Sequence, residues 1–161
     1  MIFLENISGK KAPVLTEFSI KRMGDILYCH FSAYDSSLNS FGDKDNDKLY
    51  NGDVVEIFVD VGEPNSYLEI EVAPNGAKFV ANIINKEIHF IDSSFVKTNV
   101  KVKGKDYFVE MEIDLSKYHP KTIEYNAYRV ETKGIRTNYI LLALNPTLCE
   151  TFHVRESFIE L

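Results

Sequence analysis

The sequence predicts an all-β fold, an antiparallel β-sandwich. Three observations carry this prediction. Period-two alternation of apolar and polar residues recurs along most of the 161 residues; short Gly, Asn, Asp and Pro clusters punctuate it; and no stretch holds a long 3.6-residue apolar period. Many strands of modest length, each with one apolar face, bury those faces best as two packed antiparallel sheets.

The elements follow in order along the chain. From Ile26 to Asp35, Leu27, Cys29, Phe31 and Ala33 share one face while Tyr28, His30 and Ser32 take the other. After the Asn51-Gly52 turn, Val55, Ile57, Val59 and Val61 alternate against Val54, Glu56, Phe58 and Asp60. Leu68, Ile70 and Val72 form the inner face of a third strand, with Tyr67, Glu69 and Glu71 opposite, and Pro74-Asn75-Gly76 closes a hairpin. Lys78 to Ile84, Thr98 to Lys103, Tyr107 to Ile113, Ile123 to Glu131 and Tyr139 to Leu144 complete the predicted strands. One helical turn is predicted near Leu115 to Tyr118, stopped by Pro120. No repeat or low-complexity linker divides the chain, so residues 1–161 read as one unit.

Composition narrows the function classes. Apolar residues at 45% and charged residues at 26% are ordinary globular proportions. The apolar runs are too short to cross a bilayer as helices, so no membrane partner is expected. A net charge of −6, with no Lys/Arg stripe, repels a phosphate backbone and argues against nucleic acid. The start of the chain turns polar at Glu5 and Asn6 without a secretory apolar segment, which reads as a cytoplasmic protein or a mature form. Cys29 and Cys149 are too few to define a disulfide framework.

Chemistry-bearing residues cluster in two places. Asp43, Asp45 and Asp47 alternate in the Asp43-Lys44-Asp45-Asn46-Asp47 stretch, an oxygen-rich spacing that suits a hard cation such as calcium. Lys48 stands where an EF-hand needs its turn glycine and Val54 where it needs a bidentate Glu, so a solvated acidic loop is the competing reading. No other cofactor is required. Glu56 sits mid-strand between Val55 and Ile57 and needs a partner or a wet cleft: a ligand hydroxyl, or an ion pair with Arg129. Glu69, Glu71, Glu110 and Glu112 read as half-solvated sheet positions. Neither a Ser-His-Asp nor a Cys-His arrangement nor a glycosidase motif occurs, so the chain reads as a binder and not an enzyme. His30, His89, His119 and His153 lack metal-ligand spacing.

The segment Tyr50-Asn51-Gly52-Asp53-Val54-Val55-Glu56-Ile57-Phe58-Val59-Asp60 resembles the signature strand of family 9 carbohydrate-binding modules. Ser66 to Gly76 looks like the following strand pair, Asn126 to Glu131 is similar to a late strand, and Thr151 to Phe158 resembles the closing Phe-His-x-Pro-Glu-x-Phe pattern. The resemblance implies a DOMON-like β-sandwich that grips a mono- or oligosaccharide end between aromatic rings ringed by polar groups. It places Tyr50 where the family has a sugar-stacking Trp and Glu56 at its carboxylate. It places Arg129 at a late-strand arginine, Glu56 and Arg129 meeting sugar hydroxyls. Tyr67 joins these as a ligand-binding candidate, and Tyr34, Phe41, Tyr128 or Phe152 as further platforms. The departures are that the chain has no Trp, that Leu68 replaces an arginine, and that Arg155 replaces the closing proline. The competing expectation is a sandwich that has lost the sugar site and serves in association with a protein partner.

Overall fold

The computed structural model describes residues 1–133 and 139–161, and in them the chain is built of strands with two short 3₁₀ turns. The strands are β1 (Leu4–Glu5), β2 (Thr16–Met23), β3 (Ile26–Ala33), β4 (Val54–Asp60), β5 (Ser66–Val72) and β6 (Lys78–Ile84). They continue as β7 (Glu87–Phe90), β8 (Val96–Lys103), β9 (Asp106–Asp114), β10 (Glu124–Glu131), β11 (Ile140–Ala143) and β12 (Ile159–Glu160). One sheet has the order β2-β3-β9-β8 and the other the order β1-β11-β10-β4-β5-β6-β7, with β12 also paired to β10. All named pairings are antiparallel, so the chain has the predicted sandwich architecture.

The period-two faces explain how the sheets close on each other. Leu27, Cys29 and Phe31 of β3 and Val109, Met111 and Ile113 of β9 meet Val55, Ile57, Val59, Leu68, Ile70 and Val72 in one apolar cluster. Four strands lie outside the predicted set, the two-residue β1 and β12 and the longer β2 and β7. β2 holds only two large apolar residues facing the cluster, Phe18 and Ile20, and forms an edge; β7 is exposed along all four residues. Leu115 to Tyr118 makes a single hydrogen-bonded turn, the N–H groups of Tyr118 and His119 both donating to the Leu115 carbonyl.

The larger sheet has a second covered face. Every residue of β4 and β5 is buried, because Val54, Phe58, Tyr67, Phe79, Ala81, Tyr128, Val130 and Phe152 form a further apolar cluster on the side away from the sandwich core. The C-terminal segment covers this outer face, held by buried amides. Asn126 Nδ2 donates to the carbonyls of Asn145 and Ser157. Asn6 Nδ2 donates to Thr147 Oγ1 and the Cys149 carbonyl, while its Oδ1 accepts from the Thr147 N–H. The Tyr128 hydroxyl donates to the Phe152 carbonyl.

Candidate functional site

Tyr50 reaches the outer face from the 3₁₀ turn Leu49–Asn51. That turn is anchored by its neighbours in sequence. A Cβ on Gly52 would come within 2.5 Å of the Asn39 carbonyl oxygen and the Phe41 nitrogen, so only glycine allows the two segments to touch. Asp53, fully buried, accepts hydrogen bonds from the Ser36 and Ser37 hydroxyls and the Asn39 N–H on Oδ2, and from the N–H and hydroxyl of Thr132 on Oδ1. The Tyr50 ring, half-buried, packs edge-on against Phe79 with centroids 6.3 Å apart.

Beside Tyr50 lies a cleft of about 370 Å³. Glu56, Phe58, Glu69 and Val130 come to it from the sheet, Phe152 and His153 from the C-terminal segment, and Tyr139 and Ile88 from its surroundings. Phe152 stacks on Tyr128 at 4.3 Å and His153 on Phe58 at 5.2 Å, so both rings are backed by other aromatics. Burial holds the His153 imidazole below its ordinary pKa and the Tyr67 phenol above its own. A neutral ring and a protonated phenol 2.6 Å apart pair best with the Tyr67 hydroxyl donating to Nδ1. Nε2 then carries the histidine proton.

Glu56, Glu69 and Glu71 converge beneath this cleft. They are 2%, 5% and 0% exposed. Each offers an oxygen within 4.8 Å of the others'. β4 and β5 pair so that Glu56 lies opposite Glu71 and Phe58 opposite Glu69, which puts all three acids on one face. Both Glu71 oxygens and Oε2 of Glu69 lack a well-formed hydrogen bond; the polar groups acting on Glu71 are the Glu69 carboxyl and the Tyr50 N–H, and no Lys, Arg or His among the described residues forms an ion pair with the three. Burial, then the neighbouring Glu69 charge, raises the Glu56 pKa well above the carboxylate range. Burial, then the charges of Glu56 and Glu69, does the same to Glu71. Burial pushes Glu69 up to about 7, against a smaller opposing effect of Glu71.

Of the residues singled out in the sequence, Tyr50 and Glu56 are brought together in the cleft. Tyr67 shares their face of the sheet but lies one ring farther on, stacked on Phe58 at 5.3 Å and bound to His153. Arg129 requires correction as a ligand contact and as the Glu56 partner. β10 pairs with β4 so that Tyr128 lies opposite Glu56 and Arg129 opposite Val55; the arginine therefore projects from the other face, between the sheets. There it is fully buried, donating to the carbonyls of Leu15 and Tyr34, to Thr16 Oγ1 and to Glu131.

Asp43, Asp45 and Asp47 also differ from a cation loop. Asp47 Oδ2 accepts from the N–H groups of Asp43 and Lys44, and Asp45 Oδ1 accepts from the Lys78 N–H, so two of the three cap backbone. Among the described residues the convergent acidic group is the glutamate triad instead. Tyr34 bonds Glu17 on the smaller sheet and Tyr128 is fully enclosed; of the further platform candidates, Phe152 lines the cleft.

Glu69 and Glu71 are the residues that sequence reading missed, having assigned them to solvent. Their parity with Tyr67 was visible; what no local pattern announces is that the Tyr50 turn lies against Glu71 and the C-terminal Phe152 and His153 share the cleft with Glu69.

No family model matches the chain, and no curated protein matches it. Solved structures do. A candidate carbohydrate-binding protein from Bacteroides uniformis superposes with a TM-score of 0.81 at 18% identity, over 98% of this chain and 82% of that one. A family 9 carbohydrate-binding module from Caldicellulosiruptor kristjanssonii, in complex with glucose, superposes at 0.73 and 19% identity over 99% and 82%. One in complex with cellotriose, from the same organism, does so at 0.64 and 20% over 89% and 68%. At such identities the likeness is one of fold: the chain has the β-sandwich fold of these carbohydrate-binding modules.

Proposed function

We propose that the chain is a non-catalytic carbohydrate-binding module, acting as one unit, whose cleft takes the end of a mono- or oligosaccharide. Tyr50 offers its ring to the C–H face of a sugar, and Glu56 and Glu69 accept hydrogen bonds from its hydroxyls. The His153 Nε2–H adds a donor for a ring or hydroxyl oxygen. The observation that carries this reading is the meeting of Tyr50 and Glu56 in one cleft on the outer face of the larger sheet. The fold's solved neighbours in complex with glucose and cellotriose support it.

Calorimetric titration with glucose, cellobiose, cellotriose and a panel of other mono- and disaccharides tests the proposal. A saturable heat that weakens at least about tenfold in Tyr50→Ala, close to 1.4 kcal/mol, is expected. Silence across the panel overturns it. A second reading, association with a protein partner, is favoured by one feature: Ile88 and Phe90 on the edge strand β7 are 48% and 59% exposed. Silence with sugars, together with self- or partner association abolished by Phe90→Asp, is its signature.

A further inference from the structure

The glutamate triad is enclosed like a core element yet, among the described residues, lacks a cationic partner. Glu71 is fully buried with neither carboxylate oxygen in a well-formed hydrogen bond, and Glu69 Oε2 lies beside it in the same state; the neighbours acting on Glu71 are another carboxyl and the Tyr50 N–H, with no cation among them. Buried carboxylates persist when they are paired, hydrogen-bonded or ligate a metal. Oxygens arranged around one hard cation at about 2.3–2.6 Å lie no more than about 5 Å apart, and the three glutamates offer oxygens within 4.8 Å of one another. The donor set is all oxygen, with no thiolate, which suits calcium, magnesium or manganese over softer metals.

We propose that Glu56, Glu69 and Glu71 form a divalent-cation site of the calcium class at the floor of the cleft. Two features distinguish an ion from a bulkier cationic ligand. Glu56 and Glu69 line the cleft whereas Glu71 lies behind them, so a bare ion reaches the deepest carboxylate where a sugar ring cannot. Antiparallel pairing of β4 and β5, with Glu56 directly opposite Glu71, also holds the donors on rigid strands. Calcium takes six to eight oxygen ligands. Three carboxylates therefore leave coordination positions open toward the cleft, for water or for vicinal hydroxyls of a sugar. The ion site stands on the triad alone; only hydroxyl coordination rests on the carbohydrate reading.

The test uses the full chain stripped with EDTA and dialysed, titrated with Ca²⁺ alone by calorimetry and by thermal melting. Saturable binding is expected, with Tm rising about 5–10 °C at an ion concentration roughly 100-fold above Kd. Glu71→Gln weakens Ca²⁺ binding by more than about tenfold while melting in EDTA no lower than wild type, which shows the fold intact; Glu69→Gln weakens it similarly, and Asp43→Asn leaves it unchanged. No heat and no Tm shift up to millimolar Ca²⁺ overturns the site, as does binding retained in Glu71→Gln but lost in Asp43→Asn. Glucose titrations with and without Ca²⁺ separate the two proposals. Sugar heat that requires the ion supports both. Sugar heat in EDTA without any ion heat removes the cation site and spares the carbohydrate reading, and ion heat without sugar heat does the reverse.

Discussion

Strands β4 and β5 face two interiors of different chemistry. Toward the smaller sheet they present Val55, Ile57, Val59, Leu68, Ile70 and Val72, at most 1% exposed and closely packed. Toward the C-terminal cover they present Phe58 and Tyr67 together with Glu56, Glu69 and Glu71, which are nearly as enclosed. The inner face also holds charge, in Arg129 and its ion-pair partner Glu131, both fully buried. There the guanidinium donates to four oxygen-bearing groups, and Glu131 accepts from the N–H groups of Ser37 and Lys133 as well. The outer triad is enclosed without such partners. Arg129 leaves only Nε without a partner, so the inner pair is a charge mostly satisfied by the fold, whereas the outer carboxylates have no cationic partner of their own.

The largest effect expected from breaking this contrast is on the inner side. Arg129→Met strands Glu131 in a low-dielectric interior and loses about 3–5 kcal/mol of stability in urea titration. A loss below about 1 kcal/mol would mean that the pair is not structural. Ile70→Ala, which opens a cavity in the packed face, loses about 2–4 kcal/mol by the same measurement.

The outer side responds with the opposite sign. In EDTA, Glu71→Gln removes one member of a repelling buried group and raises stability by about 1–2 kcal/mol; a comparable loss would show that the acid is satisfied in the fold. The pH dependence follows the same logic. Glu56, Glu69 and Glu71 all hold their protons more tightly folded than unfolded. Folded chains therefore bind more protons than unfolded ones above the ordinary carboxylate pKa near 4.5, and stability falls as pH rises from there through about 7, the Glu69 value. Tyr50, Tyr139, Glu56, Glu69, Glu150 and His153 are the titratable groups lining this space, with Glu71 behind them. Denaturation midpoints in EDTA from pH 4.5 to 8 read the slope, and a flat profile in wild type that matches Glu71→Gln contradicts the shifts. The smallest effect is Tyr50→Ala, at most about 1 kcal/mol in stability because the ring is half-open to solvent. A larger loss would make Tyr50 a packing residue first.

Much of this was legible from residue order. Alternation at Leu27, Cys29, Phe31 and Ala33 marked β3 and its buried face, and Val55, Ile57 and Val59 did the same for β4. The Tyr50-to-Asp60 segment led to two cleft residues, Tyr50 and Glu56, because a turn followed by a strand fixes their spacing locally. Arg129 was misread because its face depends on how β10 registers against β4, and a shift of one residue would reverse it. The acidic loop attracted attention through spacing alone, although two of its carboxylates serve nearby backbone N–H groups. Glu69 and Glu71 were read as wetted because nothing near them in sequence shows that the Tyr50 turn and the C-terminal Phe152 and His153 close over this face.

Alternation and turn chemistry thus determined on their own which segments are strands and which side chains share a face, since both follow from the geometry of one extended chain. The tertiary structure alone decided which faces meet. Strand register put Glu56 opposite Glu71 and sent Arg129 into the sandwich. The Tyr50 turn and the C-terminal segment, the latter pinned by Asn6, Asn126 and Tyr128, turned an outer sheet face into a floor of enclosed acids. Such burial is a property of contacts between residues far apart in sequence, and no local pattern encodes it.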